Sequence, residues 1–228
     1  MEKIMVLCSG GLKSAFLAGL SRREGQPILV HINHRQKSYT QEAKAVKALS
    51  EYYHCKMQTV FTYPRMTKKS PLRAVIRSFS LVLDLAREEH CTRIYHGLSK
   101  DDWLSIPELK EINLTASFLT TLQQLFGMIQ PDYLINNHQT SDYSKVVDLE
   151  LPLYRLQLYH VLRLGKDYSI PWYLTYSCDR GGHIHCGNCA SCRWRQASFA
   201  FEGSNDSTLY LNKQQYPPQT LFRKRIKI

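Results

Sequence analysis

Several familiar signatures are missing from this 228-residue chain. No apolar run approaches the length of a membrane-crossing helix, so no membrane partner is expected. There is no Gly-x4-Gly-Lys-Ser/Thr phosphate loop and no Gly-x-Gly-x-x-Gly dinucleotide fingerprint. Internal repeats and low-complexity tracts are absent, which argues against a solenoid or a disordered chain. Carboxylates are scarce: 19 Asp and Glu stand against 30 Lys and Arg, a formal charge of +11. That balance favours a polyanionic partner, a nucleotide or a nucleic acid. The basic run at Arg223 to Lys227 reads as a solvated tail, with a nucleic-acid contact as the alternative. The opening "KIMVLC" runs straight into a strand with no signal-peptide pattern, so a cytoplasmic protein is expected.

What is present alternates. Lys3 to Cys8, Ile28 to Ile32, Met57 to Phe61 and Arg93 to Tyr95 read as strands, with Tyr133 to Ile135 as a candidate fifth. Helical spacing covers Leu12 to Arg22, Thr40 to Tyr53, Pro71 to Glu89 and much of Pro107 to Gly127. Strand and helix in turn predict an α/β fold: a parallel five-stranded sheet with helices on both faces. The alternation stops near residue 165. Residues 1–165 are therefore expected to form a nucleotide-binding domain, and 166–228 a small C-terminal zinc-binding subdomain with the basic tail.

Seven cysteines, an odd number, argue against a disulfide framework. Cys8, Cys55 and Cys91 are scattered. The other four follow Cys178-x7-Cys186-x2-Cys189-x2-Cys192. Soft thiolates at this density suit one tetrahedral zinc ion, and four of them leave no open coordination position, so the ion would be structural. His183 or His185 in place of one thiolate is the alternative set.

"VLCSGGLKSAFLAG" (Val6 to Gly19) has the outline of a strand, a glycine turn and a helix. Free N–H groups and the positive end of a helix favour an anion there. Ser9 and Ser14 can add hydroxyl donors, and Gly10 and Gly11 let a phosphate approach the backbone. His96-Gly97-Leu98-Ser99 falls at the end of another strand, where open parallel sheets bind ligands.

Together, "SGGLKS" and the late "CGNCASC" resemble the 7-cyano-7-deazaguanine synthase family of PP-loop ATP pyrophosphatases, whose loop reads S-G-G-x-D-S. The resemblance runs to about residue 200. "HRQKSYTQE" (His34 to Glu42) looks like the family's Y-x-Q-R-H segment, "PLRA" (Pro71 to Ala74) its P-G-R-N, and "ELPL" (Glu150 to Leu153) its E/H-T-P-L. "HGLSKDDWLSIPE" (His96 to Glu108) is similar to T-G-V-x-E-T-D-F-S-G-Y-P-D, and "TYSCDRGGHIHCGNCASCRWR" to the cysteine motif with its trailing arginine. The resemblance implies ATP as co-substrate, structural zinc and a homodimer. It implies a 7-carboxy-7-deazaguanine-like carboxylate that attacks the α-phosphorus of ATP, and an amine that displaces AMP. A second round would dehydrate the amide to a nitrile. It places Ser9, Gly10, Gly11, Leu12, Lys13, Ser14 and Gly97 at the nucleotide. Gln36, Arg73, Asp102 and Trp103 fall at the substrate, and Lys13, Arg73 and Asp102 at the chemistry.

The departures from the family pattern fall on the chemistry. The loop aspartate is Lys13, the P-G-R-N asparagine is Ala74, Leu158 stands near an expected lysine, and Lys100-Asp101 replaces glutamate-threonine. Lys13 has two readings. It can touch a phosphate directly, or it can face solvent in an abandoned loop. As a cation it would repel a nearby Mg²⁺ by about 4 kcal/mol at about 4 Å with a surface-like dielectric, so the use of magnesium stays open. Asp102 with Trp103 can cap and pack a helix, or read a guanine-like edge while the ring stacks. Arg73 can be a surface arginine or a clamp for a carboxylate or phosphate.

Three functions follow. The chain is an AMP-forming ligase, either in the family's usual role or repurposed as altered relatives are in anti-phage defence. Or it is a catalytically silent scaffold holding a nucleotide or a partner protein. Or it is a basic tRNA-binding PP-loop protein.

Overall fold

The structure is a computed structural model that describes residues 1–62, 71–105 and 147–214, with the side chains of 71–75 and 103–105 outside that description. Five strands form one parallel sheet: β1 (Lys3–Leu7), β2 (Gln26–Asn33), β3 (Lys56–Phe61), β4 (Arg93–Tyr95) and β5 (Asp148–Glu150), in the order β3-β2-β1-β4-β5. Helices α1 (Leu12–Glu24), α2 (Tyr39–Tyr52) and α3 (Pro71–Glu88) connect the first four strands, and α4 (Lys100–Ser105) follows β4. Beyond β5 come α5 (Leu158–Asp167), a 3-10 turn (Trp172–Leu174) and α6 (Ala190–Glu202).

The sheet is covered on both faces because its strands are apolar on both. Met5 and Leu7 pack with Phe79, Val82, Leu83 and Ala86 of α3 on one side. Ile4 and Val6 pack with Phe16 and Leu17 of α1, Val46 and Leu49 of α2 and Val161 of α5 on the other. Near-continuous burial of this kind is what a parallel sheet between two helix layers requires. The expected α/β architecture is the one found.

The strand at the β4 edge of the sheet follows a stretch outside the described residues. It is Asp148–Glu150, pairing in register with Arg93 to Tyr95 of β4. The expected Tyr133 to Ile135 and the helix over Pro107 to Gly127 lie outside the described residues. The boundary expected at residue 165 falls within α5. The Leu162 side chain of α5 clusters with Leu12 of α1 and Phe199 of α6. Among the described residues no helix is long and apolar enough to cross a membrane.

Strand order reverses between β1 and β4, which are neighbours although far apart in sequence. The loops leaving their carboxyl ends diverge, one toward α1 and one toward α4. The crevice between such loops is where open α/β sheets take ligands.

Candidate active site and cysteine centre

A cavity of about 310 Å³ opens at that crevice. Ser9, Gly11, Leu12 and Lys13 of the glycine turn line one side, with Ser99, Asp101 and Asp102 after β4. Glu42 of α2 and Leu158 of α5 add to the wall. Tyr176, Ser177, Asp179, Ser191, Trp194 and Arg195 close it from the cysteine-bearing region.

The turn is shaped for close approach. Gly10 has φ +75°, and a Cβ there would meet Ala45 Cβ at 2.8 Å and the Glu42 carbonyl oxygen at 2.9 Å. Both the left-handed conformation and the crowding require glycine. Gly11 is the N-cap of α1, and no side chain caps the first turn, so its N–H groups keep their affinity for an anion. Ser9 is exposed at the cavity, whereas Ser14 is buried and donates to the Gly11 carbonyl oxygen at 3.1 Å.

Lys13 neither faces bulk solvent nor stands free for a phosphate. Its Nζ lies 2.5 Å from Asp102 Oδ2, with the two side chains 30% and 31% exposed. The same oxygen accepts from the Ser99 N–H at 2.7 Å and from Ser99 Oγ at 2.9 Å. Burial pushes the Asp102 carboxyl up, but Lys13 and the Ser99 donors outweigh it and hold the group below the usual aspartate range. Gly97 runs beside Lys13: a Cβ there would touch the Lys13 Cβ at 3.4 Å, an ordinary contact.

The remaining carboxylates have neutral donors. Asp101 accepts from the Leu158 N–H at 2.7 Å, which satisfies an otherwise orphaned donor in the first turn of α5, and burial raises its pKa. Ser191 Oγ donates to Asp179 at 2.8 Å. Gln36 donates to Glu42 Oε2 at 2.7 Å, and Ser38 Oγ to Glu42 Oε1 at 2.5 Å. Arg195 is 1% exposed and bonds Asp206, Thr175 Oγ1, Ser177 Oγ and the Trp172 carbonyl oxygen. Its charge is thereby committed within the protein.

The cysteine centre is compact. The Sγ atoms of Cys178, Cys186, Cys189 and Cys192 all lie within 4.8 Å of one another, and those of Cys186 and Cys192 are 4.0 Å apart. A tetrahedral ion with zinc–sulfur bonds of about 2.3 Å sets its sulfurs roughly 3.8 Å apart, so the donor set fits a single ion. A four-iron cluster would put each thiolate on a separate iron and spread them further. Backbone N–H groups of Cys186, Cys189 and Cys192 point at Cys178, Cys186 and Cys189 Sγ at 3.3 to 3.4 Å, which favours thiolates. Gly187, at φ +76°, lets the Asn212 backbone cross so closely that a Cβ would lie 1.7 Å from its carbonyl oxygen. His185 is occupied elsewhere: its Nε2 accepts from the Ser177 N–H at 2.9 Å, and burial holds its pKa at about 4. His183 Nδ1 lies 3.4 Å from Gln41 Nε2.

Comparison with known proteins fits this geometry. The profile of the family described as "Queuosine biosynthesis protein QueC" matches residues 67–203, more than half of the chain. The chain belongs to the QueC family. A "7-cyano-7-deazaguanine synthase 2" of Sulfurisphaera tokodaii is 26% identical over 93% of this chain, which spans about half of that relative (48%). The 7-cyano-7-deazaguanine synthase of Methanothrix thermoacetophila is 25% identical over 92% of this chain and 99% of its own length. Among solved structures, the U34-tRNA thiolase NcsA from Methanococcus maripaludis with its [4Fe-4S] cluster superposes with a TM-score of 0.52. It is 17% identical over 78% of this chain and 60% of that one, a likeness of fold. The QueC-family chain thus has a PP-loop-type α/β fold with a cysteine cluster able to bind zinc.

Of the residues that the QueC-family resemblance singles out, the structure gathers Ser9, Gly11, Leu12, Lys13 and Asp102 at one cavity. Gln36 does not line it and instead holds Glu42, which does. The side chains of Arg73 and Trp103 lie outside the description. Glu42, Asp101, Asp179, Ser191 and Trp194 escaped the sequence reading. A weak signal existed for Glu42, six residues after Gln36 and within the first turn of a helix. The others lie inside the quoted family-like stretches, Asp101 next to Asp102 and Asp179, Ser191 and Trp194 among the cysteines, but only folding shows which residues there face the crevice.

Proposed function

We propose that this QueC-family chain is an ATP-dependent, AMP-forming carbon–nitrogen ligase that acts on a 7-deazaguanine-type carboxylate. One observation carries the reading: the glycine turn, the acidic loop after β4 and the cysteine-bearing region share one cavity at the switch point of the sheet. In this reading residues 1–165 supply the nucleotide pocket, and 166–228 a wall held by zinc on Cys178, Cys186, Cys189 and Cys192. The substrate carboxylate attacks the α-phosphorus, pyrophosphate leaves, and an amine displaces AMP from the mixed anhydride. Orientation and charge stabilisation are the protein's part. The amide, or a nitrile after a second round, is the product.

The cavity treats phosphate in an unusual way. Among the described residues its cations Lys13 and Arg195 are each paired with a carboxylate, while Glu42, Asp101 and Asp179 accept hydrogen bonds from neutral donors. The phosphates are therefore held by neutral donors, the N–H groups of the turn and Ser9, with Lys13 offsetting Asp102 rather than serving as a free anion clamp. Asp102 keeps two roles in this reading: counter-ion to Lys13 and acceptor for donors on the purine-like ring.

The test is AMP release from ATP with 7-carboxy-7-deazaguanine and ammonium, with and without Mg²⁺. Acid-dependent AMP and pyrophosphate support the ligase. Nucleotide binding by calorimetry without AMP supports the scaffold reading, which the closed Lys13–Asp102 pair favours. No binding at millimolar nucleotide removes both.

A further inference from the structure

Behind the cavity wall, in β2, one buried side chain has an unpartnered ring nitrogen. His31 is 1% exposed. Its Nδ1 lies 3.0 Å from the Cys8 carbonyl oxygen, which only accepts, so Nδ1 carries the hydrogen. Among the described residues Nε2 has no hydrogen-bond partner, and it lies 3.9 Å from Glu42 Oε2. The other groups placed against the ring, among the described residues, are uncharged. Tyr39 of α2 stacks on it at 5.5 Å, Thr59 is its register partner in β3, and Cys8, just after β1, supplies the carbonyl. Burial lowers the pKa of His31, against the Cys8 bond and the Glu42 charge, so the ring rests neutral with an unused lone pair. Glu42 itself is fixed by Gln36 and Ser38 and presents its remaining acceptor capacity to the cavity.

We propose that Glu42, backed by His31, binds the nitrogen nucleophile as an ammonium ion and takes its proton. The inference rests on the ligase reading and supplies what that reading lacks, because ammonium has no lone pair with which to attack. One N–H bond breaks, and its proton goes to Glu42 Oε2 and on to His31 Nε2, leaving an imidazolium–carboxylate pair and neutral ammonia. The ammonia lone pair forms the C–N bond at the acyl carbon of the adenylate. The bond from that carbon to the AMP oxygen breaks, and its electron pair leaves with AMP. The nitrogen's second surplus proton passes to solvent. Glu42 acts on the substrate directly, and His31 acts through Glu42 as a positioning and proton-storing residue.

The full chain, labelled with ¹⁵N, tests the pair independently of turnover. The His31 ring nitrogens are followed by NMR against pH in the wild type and in Glu42→Gln, each with ammonium chloride or sodium chloride. His31 is expected to gain its proton at least about one pH unit higher in the wild type. Ammonium is expected to move the Nε2 resonance in the wild type only. A ring that titrates alike in both proteins, or ignores ammonium, overturns the proposal. In turnover, the ratio of amide formed to pyrophosphate released should fall about 100-fold or more in Glu42→Gln. It should fall about tenfold in His31→Gln, whose amide can still donate to Cys8 but cannot store a proton. An unchanged ratio in both variants overturns it as well. If the wild type releases no pyrophosphate with the deazapurine acid, the ligase reading fails, and the ring titration still decides whether Glu42 and His31 form an ammonium site.

Discussion

The two sides of the cavity each contain one ion pair, and the pairs are not alike. On the cysteine side, Arg195 and Asp206 are 1% and 7% exposed, and the guanidinium is taken up by Asp206, Thr175, Ser177 and the Trp172 carbonyl oxygen. On the glycine-turn side, Lys13 and Asp102 are about a third exposed and border the cavity itself. The first pair holds α6 against the segment that follows it and the chain leading into the cysteines. The second sets the charge that a ligand meets. One side of the cavity is thus built for rigidity and the other for electrostatic tuning.

The comparison breaks most severely through the metal. Zinc bound at four thiolates contributes folding free energy directly. We expect about one zinc per chain after purification without added metal. Chelation under reducing conditions should unfold the cysteine-bearing region while the sheet persists, as read by elemental analysis and limited proteolysis. Less than about half an equivalent of zinc in undamaged protein would count against the assignment.

The ion pairs come next. Arg195→Met leaves Asp206 buried and uncompensated and should cost about 3–5 kcal/mol in a denaturant titration. Lys13→Met, at a partly exposed pair, should cost about 1 kcal/mol or less. Equal losses would erase the distinction between the two sides.

Function should show the reverse order. Lys13→Ala uncovers Asp102 and should weaken nucleotide binding about tenfold without Mg²⁺, because a bare carboxylate then faces the phosphates. Lys13→Asp sets two carboxylates side by side and should make AMP release depend on Mg²⁺. A wild type that already releases AMP at an ordinary enzymatic rate with Mg²⁺ would show that Lys13 does not oppose the metal.

The smallest effect is at acid pH. The folded pKa of Asp102 lies below its ordinary value of 3.8, so the pair's contribution is present above that value and lost as pH falls through the folded one. The stability difference between wild type and Asp102→Asn, about 1 kcal/mol or less at neutral pH, should vanish in acid. A difference that does not shrink at all as pH falls through the acid range would assign it to packing.

The same contrast explains what the sequence reveals. The cysteines lie within fifteen residues, and their chemistry is in the spacing. The strand–turn–helix of the phosphate loop is equally local. Lys13 and Asp102 are 89 residues apart, and nothing near either one signals its partner. Val147, Leu149 and Leu151 alternate as a strand should, yet the flanking Asp148 and Glu150 disguise a three-residue β5 whose pairing with β4 is decided by the sheet. The domain boundary expected at residue 165 meets the continuous α5 for a related reason. Composition changes there, while Leu162 packs simultaneously on α1 and α6.

One bond joins the two sides. The Tyr176 N–H donates to the Gly10 carbonyl oxygen at 2.8 Å, and Tyr176 lies two residues before Cys178. The shape of the glycine turn is therefore anchored on the cysteine-bearing segment. A chain starved of zinc, or one whose thiols have been oxidised, would lose its hold on nucleotide while its sheet is still folded. Metal supply would then govern this protein's working fraction well before it governs its abundance.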